Sequence, residues 1–559
     1  MLERLKQNIA AALRQVLDEH HTPPESVPLD VEFQPEKQFG DWSISAAMKL
    51  ARVWRKPPLV IAQTLASGIE QKLDQETRAF VERFEVKPPG YINIFLKTVA
   101  WHELIKDVLR RGADFGRGPG IHRERILLEF VSANPTGPLS IAHARQAAVG
   151  ESLANILTFS GRDVTREYYI NDEGNQITNL GLSLRARYLE RLGRDPGSFP
   201  ADGYQGAYLY DLADRLIKEH GDEFASRAAD DAAARKFFST YANDAILSII
   251  KDELQAFGVT FDSWFSQKAL SERGDIPQVL EELRQKGHSY EQDGATWLRS
   301  TAFGDDKDRV LIKSDGLHTY ITPDIAYHKD KFTRGFDRII NIWGPDHHGY
   351  INRLKAAVSA LGYDRERVIV LIIQLATLFR NGQPVVMSTR AGEYVSLQEL
   401  MQEVGKDAAR FFLAMRKCDS QLEFDLELAK QQSLDNPVYY IQYAHARIAG
   451  IRKLRHERWG AAAPAADLSL LVAGEEIDLM RSLSRFPEIV EECSRHLEPV
   501  GLTVYLRELA GLFHAFYNKC RVITDDRELS LARVSMVEAV QQVIANGLRL
   551  LGVSAVEKM

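Results

Sequence analysis

"EFVSANPTGPLSIAHARQAAVGESLANIL", Glu129 to Leu157, decides how this chain is read. The run "RILLEFVS" predicts a central strand whose apolar text is interrupted by Glu129. "NPTGP" carries two prolines and a glycine and continues neither strand nor helix. A helix is expected from near Ile141, with His143 and Arg145 at its start. In a parallel α/β sheet, ligands bind where strands end and helices begin. Free backbone N–H groups and the helix dipole favour an anion there. His143 adds a donor, and a polyphosphate suits the place. A plain strand-turn-helix connection with an incidental histidine is the alternative. Neither GxxxxGKS/T nor GxGxxG occurs in the stretch, so neither a P-loop nor a dinucleotide fingerprint applies.

Outward from this stretch, "VTREYYIN", "RVLIKS", "DRIINIWG" and "RVIVLIIQL" are further β-type runs, several of them separated by helical patterns. That alternation predicts an α/β domain with a parallel sheet buried on both faces, over residues 116–400. Text from about 180 to 300 is largely helical and reads as an insertion. Residues 1–115 mix helical patterns with the extended "FVERFEVKPPGYINIFL", an α+β module. Residues 401–559 show no convincing strand and read as an all-α bundle.

The length of 559 residues allows three or four such regions. No apolar run reaches the roughly 20 residues of a membrane span, and the mixed-charge N-terminus lacks a signal peptide's core. Cys418, Cys493 and Cys520 stand apart, without CxxC spacing. A reducing cytoplasm is therefore expected, with neither a disulfide framework nor a structural zinc site. Net charge is −7, so nucleic acid would have to meet local basic patches.

Three further stretches carry chemistry. "GPDHHGY" (Gly344 to Tyr350) follows an apolar run. Asp346, His347 and His348 suggest a metal, but no further ligand is spaced nearby, and Gly344 allows close approach to the backbone. "SDGLHTYITPDIAYHKDKF" places Tyr320 and Asp324 one helical turn apart. Asp324 and Glu129 beside one pocket would repel each other without a cation, and a guanidinium matches carboxylates bidentately. The alternative is a local cap or salt bridge at Asp324. The cavity reading requires both acids to open on one space, with neither buried against an internal lysine or arginine. "HARIAGIRKLRHERW" carries Arg447, Arg452, Lys453, Arg455 and Arg458 against Glu457, after Tyr439, Tyr440 and Tyr443; "LFHAFYNKCR" adds Phe513, Tyr517 and Asn518. Aromatics beside basic charge suit unstacked bases and phosphates; packing of the bundle core is the alternative.

Ala133-Asn134-Pro135-Thr136-Gly137-Pro138-Leu139-Ser140-Ile141-Ala142-His143 and the helix after it resemble the HIGH signature region of class I aminoacyl-tRNA synthetases, in the form found in arginyl-tRNA synthetases. Where that family usually has His-x-Gly-His, this chain has Ser140-Ile141-Ala142-His143. Met387-Ser388-Thr389, in "NGQPVVMSTRAGEYVSLQEL", resembles the KMSK loop; Thr389 stands for its last lysine, and Arg390 is the nearest cation. Some family members without that lysine carry one shortly before HIGH, where this chain has Gly137. The resemblance covers essentially the whole chain.

It implies a Rossmann-like catalytic domain, an additional N-terminal domain at the tRNA corner and an anticodon-binding helical bundle. It also implies ligation of L-arginine to its tRNA through an arginyl-adenylate formed from ATP. Catalytic roles would fall to His143, Ser140, Ser388 and Arg390, and arginine contacts to Glu129, Asn134, Tyr320 and Asp324. ATP would meet His143, Gly344, Asp346, His347, Met387 and Ser388. The tRNA would meet Tyr443, Arg447, Arg452, Phe513, Tyr517 and Asn518. Magnesium should accompany ATP, with no protein-bound zinc. A cytoplasmic monomer that activates arginine only with tRNA bound is expected. The departures at Ser140 and Thr389 leave a catalytically impaired tRNA-binding paralogue as the alternative. A small-molecule nucleotidyltransferase is a third reading, opposed by the basic C-terminal region.

Overall fold

The computed structural model describes residues 1–23, 29–118, 120, 124–228, 230–385, 394–460 and 466–559. A five-stranded sheet runs in the order Val368–Ile372, Arg338–Trp343, Arg125–Glu129, Asp163–Ile170, Ser263–Ser266, with every neighbouring pair parallel. Ile126, Leu127 and Leu128 in the middle strand are fully buried, as a strand covered on both faces requires. The chain leaves that strand for a neighbour on one side and later returns on the other. A crevice therefore opens beyond its carboxyl end.

The middle strand stops short of its apolar run, at Glu129. Val131 (φ 67°) and Ser132 (φ 39°) then adopt left-handed backbone, which is strained for a β-branched valine. Hydrogen bonds hold the bend. Ser132 Oγ donates to Glu129 Oε1 (3.0 Å) and accepts from the Tyr169 N–H (3.1 Å). The helix begins at Ile141 as expected, spans Ile141–Phe159 and is buried along most of its length. At Gly150 a Cβ would sit 2.3 Å from the Phe130 ring, so only glycine lets this helix close against the strand's exit.

Three expectations change. "RVLIKS" forms Arg309–Ile312 in a small antiparallel sheet with Ala295–Leu298 and Ser289–Gln292, not in the parallel sheet. Only Leu311 of that strand is fully buried, so the sheet's environment is not a doubly covered one. Helices Asn175–Arg191, Tyr208–His220, Ala232–Ala256 and Asp275–Gln285 fill much of 180–300, yet Ser263–Ser266 within it is the parallel sheet's edge strand. Four residues give too few periods to register in the text. Leu422–Asp425 is also a strand, parallel to Ala376–Arg380, ahead of the C-terminal helices.

The N-terminal region is α+β. Its antiparallel sheet runs Glu32–Phe33, Trp42–Ile44, Tyr91–Leu96, Val81–Lys87 and carries helices including Leu2–Glu19 and Pro58–Lys72. Helices Pro437–Trp459, Gly474–Ser484, Phe486–His496, Val500–Lys519 and Arg527–Leu550 pack together as the C-terminal region. Buried arginines clasp the regions. Arg481 donates to Asp41 Oδ1 (2.8 Å) and to the carbonyls of Gln34 (2.9 Å) and Gly40 (3.0 Å). Arg410 donates to the carbonyls of Leu551 (3.0 Å), Phe257 (3.0 Å) and Gly258 (3.2 Å).

Candidate active site

A cavity of about 580 Å³ occupies the crevice. It gathers Glu129, Asn134, Tyr320 and Asp324, the residues expected for arginine, with His143, Gly344, Asp346 and His347 of those expected for ATP. Ala133 and Ala142 also reach it, whereas Pro135, Thr136, Gly137, Pro138, Leu139, Ser140 and Ile141 form the turn and helix start behind its wall. Met387, Ser388, Thr389 and Arg390 lie outside the described residues.

Neighbours pin that turn from several sides. The Leu139 N–H donates to Glu253 Oε2 (3.0 Å), and the Leu139 carbonyl accepts from the Leu397 N–H (2.7 Å). The Tyr394 hydroxyl donates to the Pro138 carbonyl (3.0 Å), and the Tyr208 hydroxyl donates to the Thr136 carbonyl. Ser140 is the N-cap residue, and its N–H donates to His143 Nδ1 (3.2 Å). Nδ1 is thus an acceptor and the ring proton sits on Nε2. Burial lowers His143 to about 4, so a neutral N–H donor lines the cavity near the helix start. The structure places Ser140 in a capping role, away from the wall. Arg145 is also no site residue. It is fully buried and donates to the carbonyls of Gln374 (2.7 Å), Lys417 (2.9 Å) and Ser420 (2.9 Å).

Asp324 Oδ2 accepts the Tyr350 hydroxyl at 2.6 Å. Burial raises the Asp324 carboxyl to about 6, despite that hydrogen bond, and the charge of Glu129 pushes the same way. Glu129 departs from expectation. The ammonium of Lys331, 0% exposed, donates to Glu129 Oε2 and to Asn341 Oδ1 (2.8 Å). An internal lysine on either acid is what the sequence reading ruled out. That condition was too strict, because a carboxylate so deep in a sheet needs a compensating charge. Glu129 still lines the cavity, and Asp324 forms no ion pair among the described residues.

The amide of Asn341 donates from Nδ2 to His328 Nε2 (2.9 Å), so the His328 proton is on Nδ1, which donates to the Asp324 carbonyl (2.8 Å). Burial, with Lys331 beside it, holds His328 well below the usual histidine range. Lys331, Asn341, His328, Tyr350 and Tyr169 were missed from the sequence. One signal was present. Asp324, His328 and Lys331 stand at i, i+4 and i+7, a single helix face.

Three family descriptions together span almost the whole chain: "Arginyl tRNA synthetase N terminal domain" matches residues 3–96, "tRNA synthetases class I (R), catalytic domain" 105–442, and "DALR anticodon binding domain" 441–559. The chain belongs to the class I arginyl-tRNA synthetases. Among its relatives in this family, the arginine–tRNA ligase of Syntrophotalea carbinolica is 45% identical over 100% of both chains. That of Bacillus subtilis is 46% identical over 100% of this chain and 99% of its own. The Thermus thermophilus arginyl-tRNA synthetase structure superposes with a TM-score of 0.78 at 26% identity, covering 99% of this chain and 100% of its own. Full-length matches to chains named as ligases give no support to the impaired-paralogue reading.

The C-terminal surface shows where the residues expected for tRNA lie. The Arg447 guanidinium lies between the rings of Tyr443 (4.4 Å) and Tyr517 (4.5 Å) and forms no ion pair with an acid among the described residues. Asn518 is exposed beside them. Phe513 is a correction. It is fully buried, packing against His514 and Tyr517, and cannot stack a base there. Arg452 and Arg455 both face Glu538 at 3.6 Å, and Arg458 faces Asp525 at 3.9 Å. Glu538 on the last helix and Asp525 just before it, invisible in the local text, thus offset much of the basic run.

Among the described residues no group of three or more His, Cys, Asp or Glu is placed to hold a metal ion, and no helix is long and apolar enough to cross a membrane.

Proposed function

We propose that this cavity activates L-arginine with ATP and passes the arginyl group to its tRNA. One observation carries the reading: Glu129 and Asp324 open on the same cavity as the His143 donor at a helix start. Asp324 and Glu129 take the guanidinium, with Tyr320 on the rim and Asn134 toward the amino acid's polar end. The adenosine of ATP lies along Gly344, Asp346 and His347. Phosphates face His143 Nε2–H, and the family resemblance adds Ser388 and Arg390 to their stabilisation. The arginine carboxylate attacks the α-phosphorus in line, giving arginyl-adenylate and pyrophosphate. The 2′-hydroxyl of the terminal tRNA adenosine then takes the arginyl group and AMP leaves. Positioning and charge stabilisation suffice, and no protein nucleophile is needed.

Magnesium would accompany ATP and offset its phosphate charge, and Asp346, 78% exposed on the cavity rim, would offer it a carboxylate. Arginine activation waits for bound tRNA. The N-terminal domain holds the tRNA corner, while Tyr443, Arg447, Tyr517 and Asn518 meet anticodon bases. The acting form is taken to be a cytoplasmic monomer. The support is the family membership and relatives named arginine–tRNA ligase over the full length. The test is aminoacylation of total tRNA with each of the twenty amino acids. Arginine alone should charge, and charging with any other would overturn the reading.

A further inference from the structure

Arginine carries a net charge of +1: a guanidinium and an ammonium against one carboxylate. The two ionised acids deep in the cavity, Glu129 and Asp324, give −2, an excess that would favour a dication or force a proton onto one acid. The buried charges under the floor correct that excess. Lys331 lies on the face of the Ile321–Thr333 helix that also carries Asp324 and His328. Its ammonium meets Glu129 and Asn341 and sits 4.1 Å from the centre of the Tyr327 ring, so the charge is held without water. The neighbouring buried acid, Glu167, has its own counter-charge. Arg334 grips it with bonds of 2.6 and 2.8 Å, and Tyr327 adds a hydroxyl at 2.6 Å.

We propose that Lys331 is a positioning residue for amino-acid recognition. Paired with Glu129, it leaves Asp324 as the one uncompensated carboxylate deep in the cavity, Asp346 lying 78% exposed on the rim, and the charge at that depth becomes the complement of arginine's. Through Asn341 and His328 the same ammonium is linked to the Asp324 main chain, so one network sets both the charge and the spacing of the two acids. Asp324 is otherwise faced by Tyr350 and His347 from the 345–350 turn, by Tyr169 from the Asp163–Ile170 strand and by Glu129. Tyr169 is pushed up by burial and by both acids, so it stays a neutral phenol.

The proposal rests on the cavity being the arginine site, and the experiment separates the two. Arginine binding is followed by calorimetry in buffers of different ionisation enthalpy, across about pH 5 to 8. The full-length protein is compared with Asp324→Asn, Lys331→Met and the double variant Glu129→Gln/Lys331→Met. The unaltered protein should release less than about one proton per arginine, centred near about 6. Lys331→Met should move that centre up by about one unit or more, because both acids then titrate together. It should also weaken arginine about tenfold at neutral pH, while the KM for ATP in aminoacylation stays put. The double variant removes one charge of each sign and should return the centre to that of the unaltered protein.

An unchanged profile in Lys331→Met, with only stability lost, overturns the proposal. Should that variant fail to fold, two results still overturn it: release of more than one proton by the unaltered protein, or a displaced centre in the double variant. Undiminished arginine binding by Asp324→Asn would instead defeat the reading of the cavity itself.

Discussion

A carboxylate that burial raises to about 6 titrates where an assay can see it. The folded-state value of Asp324 lies above the unfolded one. Its contribution to stability is therefore full at low pH and lost as pH rises through about 6. Above that point the empty cavity holds an unpaired charge, which a guanidinium relieves. Arginine should accordingly raise Tm more at pH 7.5 than at pH 5, and its KM should climb about tenfold per unit below 6 and stay level above. Asp324→Asn should raise the arginine KM about 100-fold and flatten that pH dependence, with the ATP KM nearly constant in steady-state aminoacylation. His143→Ala should lower the rate of adenylate formation by about 10²–10³ with little change in arginine affinity, measured as pyrophosphate exchange with tRNA present. Glu129 was legible because a charge inside apolar text asks for an explanation, whereas Asp324 was reached through its helical spacing from Tyr320 and the family resemblance. Lys331 was not, since it stands among Lys329 and Asp330 and reads as a solvated helix end.

The signature helix, Ile141–Phe159, is anchored by polar groups at its start and by close packing along its flank. Arg145 joins its first turns to three carbonyls from the segments around Gln374 and Lys417. Arg145→Ala should cost about 3–5 kcal/mol of stability, read from denaturant unfolding, because three carbonyls lose a charged donor together and a fully buried side chain is removed. The start of this helix could be read from "NPTGP" and the apolar text that follows. The end of the preceding strand could not. "RILLEFVS" stays apolar through Val131, and only the hydroxyl of Ser132, bonded across to Glu129 and Tyr169, bends the backbone away. "SWFS" escaped for a related reason, since its four residues are all half-buried and no alternation marks them. Local text reports burial and breakers. It does not report bonds that arrive from another strand.

Across the whole molecule, cavity and C-terminal surface stand apart but share one core. Arg447→Ala should weaken tRNA binding about tenfold while leaving arginine and ATP binding alone, measured by filter binding and by calorimetry. Lys453→Ala should change tRNA affinity less than about twofold, because that exposed charge faces Glu457 and is well screened.

The carbonyl of Leu550 is caught by Asn155 on the signature helix, and that of Leu551 by Arg410. The helix that opens the reaction chamber is thus tied to a segment some four hundred residues further along the chain, a pairing that must form late because its closure spans so long a loop.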